Sequence, residues 1–314
     1  MILDDIAKSA GLDREYLAKI ARSASFRYKT YAIPKRTGGK RIIDHPSKEL
    51  KFLQTWLVGN LFLHLPVHGS VYSYREGVGV GQHANKHRRQ NYLLRVDFED
   101  FFPSISAEDI KRLLRGNQTN FPIHLSDKDY EVITSIVCKD KHLTIGAPSS
   151  PILSNAVMYE FDVRWSSYCH SLGVVYSRYA DDLYLSTNKP NVLAGVLAEL
   201  RKSLTKQRQP QLRINEKKTT FTSRKRRRIV TGLILSSENK VSLGREKKRK
   251  IKSLVYRFVQ QRLDLKELSY LRGYISYVNA VEPSFIKSLE RKYGTEVMNQ
   301  IRRAPTISRK GMRE

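Results

Sequence analysis

The sequence predicts a mixed α+β chain, and three patterns carry that reading. Two short apolar runs, 173–178 and 183–186, flank Tyr179-Ala180-Asp181-Asp182 and read as the strands of a tight hairpin. A third run, Leu93-Leu94-Arg95-Val96, reads as a strand that ends at Asp97. Beyond residue 244 apolar side chains recur at helical spacing.

Taken in order, residues 4–22 form two short helices around Gly11, with Asp13 as the N-cap of the second. Ala7, Gly11 and Leu17 match a helix-turn-helix, and a plain αα-hairpin packed on the body is the alternative. Lys35-Arg36-Thr37-Gly38-Gly39-Lys40-Arg41 is a basic turn between two strands, 31–33 and 41–43. Residues 48–65 form an amphipathic helix carrying Leu50, Leu53, Leu57, Leu61 and Leu65. Ile145-Gly146-Ala147-Pro148-Ser149-Ser150-Pro151 is a small-residue turn that admits close backbone approach, followed by a helical run from Leu153 to Trp165.

A basic stretch, Arg224, Lys225, Arg226, Arg227 and Arg228, precedes an expected strand over 229–235. A second, Lys247, Lys248, Arg249 and Lys250, opens a helix with Ile251, Leu254, Val255, Phe258, Val259 and Leu263 on one face. Two further helices, one carrying Leu268, Leu271, Ile275 and Val278 and one starting near Pro283, complete a three-helix bundle. Residues 304–314 read as a poorly ordered tail.

Composition narrows the function classes. The 314 residues are enough for about two domains. With 40% hydrophobic residues the chain builds a core. A net charge of +27 must lie mostly outside and attracts polyanions, above all nucleic acid. The two cysteines lack metal-ligand spacing and fit a reducing cytosol, so the expected localisation is cytoplasmic. The first residues lack the basic and apolar regions of a signal peptide, and no stretch approaches the roughly 18 apolar residues of a membrane span.

Against that positive field, three aspartates at strand ends stand out. Crowded carboxylates repel by roughly 4 kcal/mol per pair at about 4 Å and an effective dielectric near 20. Magnesium relieves the conflict because it prefers carboxylate and phosphate oxygens. Two such ions, about 3.5–4 Å apart, clamp an in-line displacement at phosphorus. Asp97 and Asp181 are then the bridging ligands and Asp182 supports the site.

These residues resemble reverse transcriptases, and within them the bacterial retron type, over roughly residues 25–300. Val96-Asp97-Phe98-Glu99-Asp100-Phe101-Phe102-Pro103 is similar to the first catalytic motif, and Tyr179-Ala180-Asp181-Asp182 to the second. Gly146-Ala147-Pro148-Ser149-Ser150-Pro151 resembles the motif under template and nucleotide, and Asn215-Glu216-Lys217-Lys218-Thr219 the following lysine motif. Val230-Thr231-Gly232 is similar to a retron signature near the thumb. His83-Ala84-Asn85-Lys86-His87 resembles another, with His83 where Asn is usual; Ile145 likewise stands where Gln is frequent.

The resemblance implies a right-hand polymerase with fingers, an antiparallel-sheet palm and a helical thumb. It implies an N-terminal helical extension over 1–24, fingers and palm over 25–235, and a thumb and RNA-recognition region over 236–314. Catalysis and metal binding fall to Asp97, Asp181 and Asp182. Nucleotide binding falls to Lys40, Arg41, Phe102 as steric gate, Ala147, Pro148 and Lys218. RNA binding falls to Arg224–Arg228, Val230, Thr231, Gly232 and Lys247–Lys250. The implied enzyme copies part of a cognate structured noncoding RNA into single-stranded DNA from dNTPs. Priming is from a guanosine 2′-hydroxyl, a cellular ribonuclease H trims the template, and a separately encoded effector acts in antiphage defence. A group II intron or diversity-generating type of reverse transcriptase and a non-catalytic RNA-binding scaffold are the competing readings.

Overall fold

The computed structural model describes residues 1–34, 38–207 and 209–305. In chain order the elements are α1 (Ile2–Ala10), α2 (Arg14–Arg22), β1 (Tyr28–Pro34), β2 (Lys40–Pro46), α3 (Lys48–Asn60), α4 (Val80–His87), β3 (Tyr92–Glu99), α5 (Ala107–Gly116), α6 (Asp127–Val137), α7 (Ser150–Val157) and α8 (Tyr159–Ser171). There follow β4 (Val175–Tyr179), β5 (Asp182–Thr187), α9 (Val192–Lys206), β6 (Arg213–Ile214), β7 (Thr220–Ser223), β8 (Arg228–Val230), β9 (Leu233–Leu235), β10 (Val241–Ser242), α10 (Arg245–Val259), α11 (Leu265–Val281), α12 (Pro283–Tyr293) and α13 (Thr295–Arg303). The chain divides into two compact units, one of residues 1–76 with 94–221, the other of 77–93 with the chain from 222 onward.

In the first unit α1 ends at Gly11 in the left-handed region, and the Asp13 carboxylate accepts from Tyr16 N to start α2. The pair packs on α6, where Ile2 N donates to Asp129 Oδ1 at 2.7 Å, so residues 4–22 form the αα-hairpin alternative. Strands β1 and β2 pair from Tyr28↔Pro46 to Pro34↔Lys40. The basic turn residues 35–37 lie outside the described residues. The amphipathic helix expected over 48–65 stops at Asn60 and continues as a 3₁₀ turn over Phe62–His64. The Asn60 side chain donates to Trp56 O at 2.9 Å, competing for a carbonyl of the helix's last turn. All five leucines of that stripe are nevertheless buried.

The sheet that carries the aspartates runs β4-β5-β3-β6, with β7 also pairing with β3. Helix α8 packs on β4 and α9 on β5. Leu94, Val96 and Phe98, which share one face of β3, are all buried, so that face lies against the core. The helix expected from Leu153 to Trp165 is two helices, because buried Met158 leaves helical geometry at ψ 1°.

In the second unit the expected strand over 229–235 is folded back on itself. Thr231 and Gly232 take φ of +44° and +80°, as a two-residue hairpin turn requires, and join β8 to β9. Helix α4 packs on β8, β9, β10 and α11. The three-helix bundle has a fourth helix, since Gly294 at φ +90° ends α12 and opens α13, which buries Met298 and Ile301. Val259, at the end of α10, is 43% exposed rather than part of the apolar face. Of the expected tail, residues 306–314 lie outside the described residues. Both cysteines are free and buried, and burial pushes each thiol up to about 12. No described helix is long and apolar enough to cross a membrane.

Candidate active site

Asp97 lies near the end of β3, and Asp181 in the two-residue turn between Tyr179 and Asp182, which pair across the β4–β5 hairpin. Ala180 takes a positive φ of 54° to make that turn. Phe98 N donates to Asp181 O at 3.0 Å, which stitches the hairpin tip to the residue after Asp97. The two carboxylates feel each other. Burial raises the Asp181 pKa, the negative charge of Asp97 raises it further, and Lys218 and Arg41 oppose. Burial pushes Asp182 up to about 6, with Asp181 adding and Arg95 opposing.

Basic side chains of the same unit answer two of the three acids. Lys218 Nζ lies 2.8 Å from Asp97 Oδ1 and 3.1 Å from Oδ2. Arg95 meets Asp182 side-on, with Nε to Oδ1 and Nη2 to Oδ2 both at 3.0 Å. Among the described residues, no three His, Cys, Asp or Glu side chains come together as a metal holder, so the trio expected from sequence is not a ready-made cage. Asp97 and Asp182 each have a cation within hydrogen-bond distance instead, which offsets the repulsion between neighbouring carboxylates. Asp97 and Asp181 still offer hard oxygen donors of the kind divalent cations prefer, and their repulsion is what such an ion relieves.

A buried network holds the hairpin. The Arg178 guanidinium, 0% exposed, donates through Nε and Nη2 to Asp162 of α8, at 2.6 Å for Nη2–Oδ2. Its Nη1 donates to Asn155 Oδ1 at 3.2 Å and to Ala180 O at 3.1 Å, within the aspartate turn itself. Tyr176 OH donates to Asp162 at 2.6 Å, and Ala180 N to Ser73 Oγ at 2.7 Å. Arg95, Arg178, Asp162 and Ser73 were missed by sequence reasoning. For the two arginines the available signal was a cation in the middle of an apolar strand, which must be paired if buried.

The residues assigned to the nucleotide are distributed as follows. Phe101 is buried and stacks with Phe98 at 6.3 Å, while Phe102 is half-buried, its ring centroid 5.6 Å from that of Phe101. Lys40 and Arg41 are exposed at the start of β2. Lys218 ends a 3₁₀ turn, and Asn215 N just before that turn donates to Asp97 O at 2.8 Å. Ala147 is buried and Pro148 half-buried. At Gly146, with φ +121°, a Cβ would meet Asp44 O at 2.7 Å. The close approach that the small-residue turn admits there is by β2, fixed by Asp44 N donating to Ile145 O at 2.8 Å.

In the second unit Arg224, Lys225, Arg226 and Arg227 are exposed, and Arg224 donates to Ser237 O. Arg228 departs from the expected basic track. It is 1% exposed and donates to Ser236 O at 3.0 Å, because strand alternation turns it inward with Val230. Lys247 Nζ donates to Gly232 O at 3.0 Å, and Lys248 pairs with Glu282. Arg249 and Lys250 are exposed, with Lys250 4.8 Å over the Tyr270 ring. His83 and His87, one turn apart on α4, are both buried with rings 5.6 Å apart edge to face.

Comparison with known proteins supplies the family. Residues 33–258 match the family described as reverse transcriptase (RNA-dependent DNA polymerase). The chain is similar to the Retron Ec83 reverse transcriptase of Escherichia coli, 36% identical over 284 residues that span 88% of this chain and 90% of that protein. It is also similar to the Retron Ec86 reverse transcriptase of Escherichia coli, 32% identical over 307 residues spanning 95% and 92%. Among solved structures it resembles telomerase from Candida albicans in complex with a TWJ fragment of telomeric RNA, at TM-score 0.51 and 14% identity. That match covers 87% of this chain and 59% of the telomerase, and bears on the fold alone: a right-hand polymerase with fingers, an antiparallel-sheet palm and a helical thumb. The aspartate-bearing sheet and the matched span lead to one assignment: the chain belongs to the reverse transcriptase family, with retron reverse transcriptases as its relatives, and is an RNA-directed DNA polymerase.

Proposed function

We propose that this polymerase copies part of a cognate structured noncoding RNA into single-stranded DNA that stays joined to the RNA. The observation that carries the reading is the stitching of the Asp181 turn to β3 beside Asp97, which gathers two carboxylates on an otherwise strongly basic chain. Retron relatives of nearly equal length support the substrate class. The first bond forms when a guanosine 2′-oxygen of the RNA attacks the α-phosphorus of a dNTP and pyrophosphate leaves. Later rounds use the new 3′-hydroxyl.

Asp97 and Asp181 would hold two magnesium ions, which when bound would supply charge neutralisation at the triphosphate. Asp182 supports them. Arg41, with Lys40, meets the triphosphate as a phosphate-binding arginine does. Phe102 fills the space of a ribose 2′-hydroxyl, and Ala147 and Pro148 shape the base pocket. Lys218 faces the pyrophosphate side. Arg224–Arg227, Thr231-Gly232 and Lys247–Lys250 form the RNA-binding surface, with buried Val230 anchoring the turn beneath it. The working setting is the cytoplasm, with a cellular ribonuclease H to trim the template and a separately encoded effector for antiphage defence.

Two measurements test this. Nucleic acid extracted from the purified chain after ribonuclease treatment should be a discrete small DNA carrying a few branched ribonucleotides; heterogeneous cellular RNA alone refutes the substrate assignment. Asp181→Ala should abolish nucleotide incorporation while RNA binding stays near wild type, and incorporation at the wild-type rate refutes the metal assignment.

A further inference from the structure

We propose that Arg95 is a positioning residue that withdraws Asp182 from the metal-binding set, leaving Asp97 and Asp181 as its two ligands. The inference rests on the metal-binding reading of Asp97 and Asp181 above. It differs from that reading in giving Asp182 a fixed partner and Arg95 a task.

Arg95 and Asp97 are two residues apart on β3, so strand alternation puts both on one face. Asp182 opens β5, the neighbouring strand. Every oxygen of the Asp182 carboxylate is engaged there. Oδ1 accepts from Arg95 Nε at 3.0 Å and lies 2.9 Å from Nη2. Oδ2 accepts from Nη2 at 3.0 Å and from the Tyr184 hydroxyl at 3.4 Å. A magnesium-type ion needs a carboxylate oxygen at about 2.0–2.1 Å. At Asp182 it would have to share that oxygen with a guanidinium it repels, or break a planar two-point pair.

The partner of Asp97 is of another kind. Lys218 offers one ammonium on a flexible stem; its side chain is 46% exposed and that of Arg95 40%, so the two pairs differ in the head group and not in burial. An ammonium point charge can swing into water, whereas the guanidinium fork is matched to its carboxylate. Arg95 and Asp182 also cancel in charge, so once the Lys218 ammonium swings away the negative potential left for a cation is that of Asp97 and Asp181. The clamp ties the first residue of β5 to β3, while the Asp181 turn is held separately by the Phe98 N to Asp181 O bond.

The test is titration of the purified full-length chain with Mn2+ alone, reading free Mn2+ by electron paramagnetic resonance. Asp181→Asn is the control for the underlying reading and should weaken binding about tenfold or more. Binding unchanged in that variant refutes the metal assignment itself. Arg95→Gln paired with Asp182→Asn removes the clamp without changing net charge, and its affinity should stay within about threefold of wild type. A loss of about tenfold or more in that pair, with the control behaving as expected, makes Asp182 a ligand and overturns the proposal. Arg95→Gln alone frees a third carboxylate and should tighten Mn2+ binding about tenfold; unchanged affinity there also overturns it. If the Gln/Asn pair does not fold, Arg95→Met with Asp182→Leu carries the same expectation, since packed apolar pairs replace ion pairs at little cost.

Discussion

Lys218 sets its ammonium 2.8 Å from one Asp97 oxygen and 3.1 Å from the other, where a divalent ion would be expected to bind. The pair stands in for that ion on a carboxylate only 3% exposed, and any cation bound to Asp97 competes with it. Lys218→Ala should therefore bind Mn2+ several-fold more tightly than wild type, roughly 1 kcal/mol in favour of the ion. Single-turnover incorporation should nevertheless slow, because the charge proposed to face the pyrophosphate is lost. Mn2+ titration and rapid quench separate the two effects, and weaker Mn2+ binding in Lys218→Ala contradicts the competition.

The Arg178–Asp162 pair makes a different prediction, since both side chains are 0% exposed. Arg178→Met leaves a buried carboxylate unpaired and should cost about 3–5 kcal/mol in urea unfolding. Adding Asp162→Leu should recover much of that stability. Incorporation should stay impaired in the double variant, because Ala180 O has still lost its donor in the aspartate turn. Full recovery of both would reduce Arg178 to a packing residue.

Gly146 should tolerate no side chain. With φ +121° and Asp44 O 2.7 Å from a built Cβ, Gly146→Ala forces β2 away from the 145–151 turn. The expected loss is about 1–3 kcal/mol in thermal or urea unfolding. Because Arg41 lies on the same strand, the apparent KM for dNTP should rise as well.

Acid should weaken the second unit through its histidines. Burial pushes His83 down to about 3, with Lys86 adding. Burial, then His83 and Lys86, holds His87 well below its usual value. Unfolded histidines protonate near 6.5, so below that pH the unfolded chain binds more protons and stability falls with pH. At pH 5 the loss from His83 is about 2 kcal/mol, and His87 adds in the same direction. Thermal melts from pH 7.5 to 5 should show that slope, and His83→Asn should reduce it. An unchanged slope assigns the acid sensitivity elsewhere.

Local pattern was enough to read much of this molecule. Hairpin spacing located Asp181 and Asp182, strand period located Asp97, and the N-cap chemistry of Asp13 located α2, because each depends on neighbours within a few residues. What the sequence left open involves partners far along the chain. Arg95 and Asp182 are 87 residues apart, and Lys218 and Asp97 are 121 apart, and nothing in a one-dimensional pattern couples them. The fold of 229–235 into two strands and the burial of Arg228 were likewise decided by packing: a short apolar run is equally content as one strand or as a hairpin until α4 covers one face. The sequence by itself determined at which strand ends the acids lie and on what kind of protein. Only the tertiary structure decided which cation answers each acid, because Coulomb pairing depends on distance in space and not on separation along the chain.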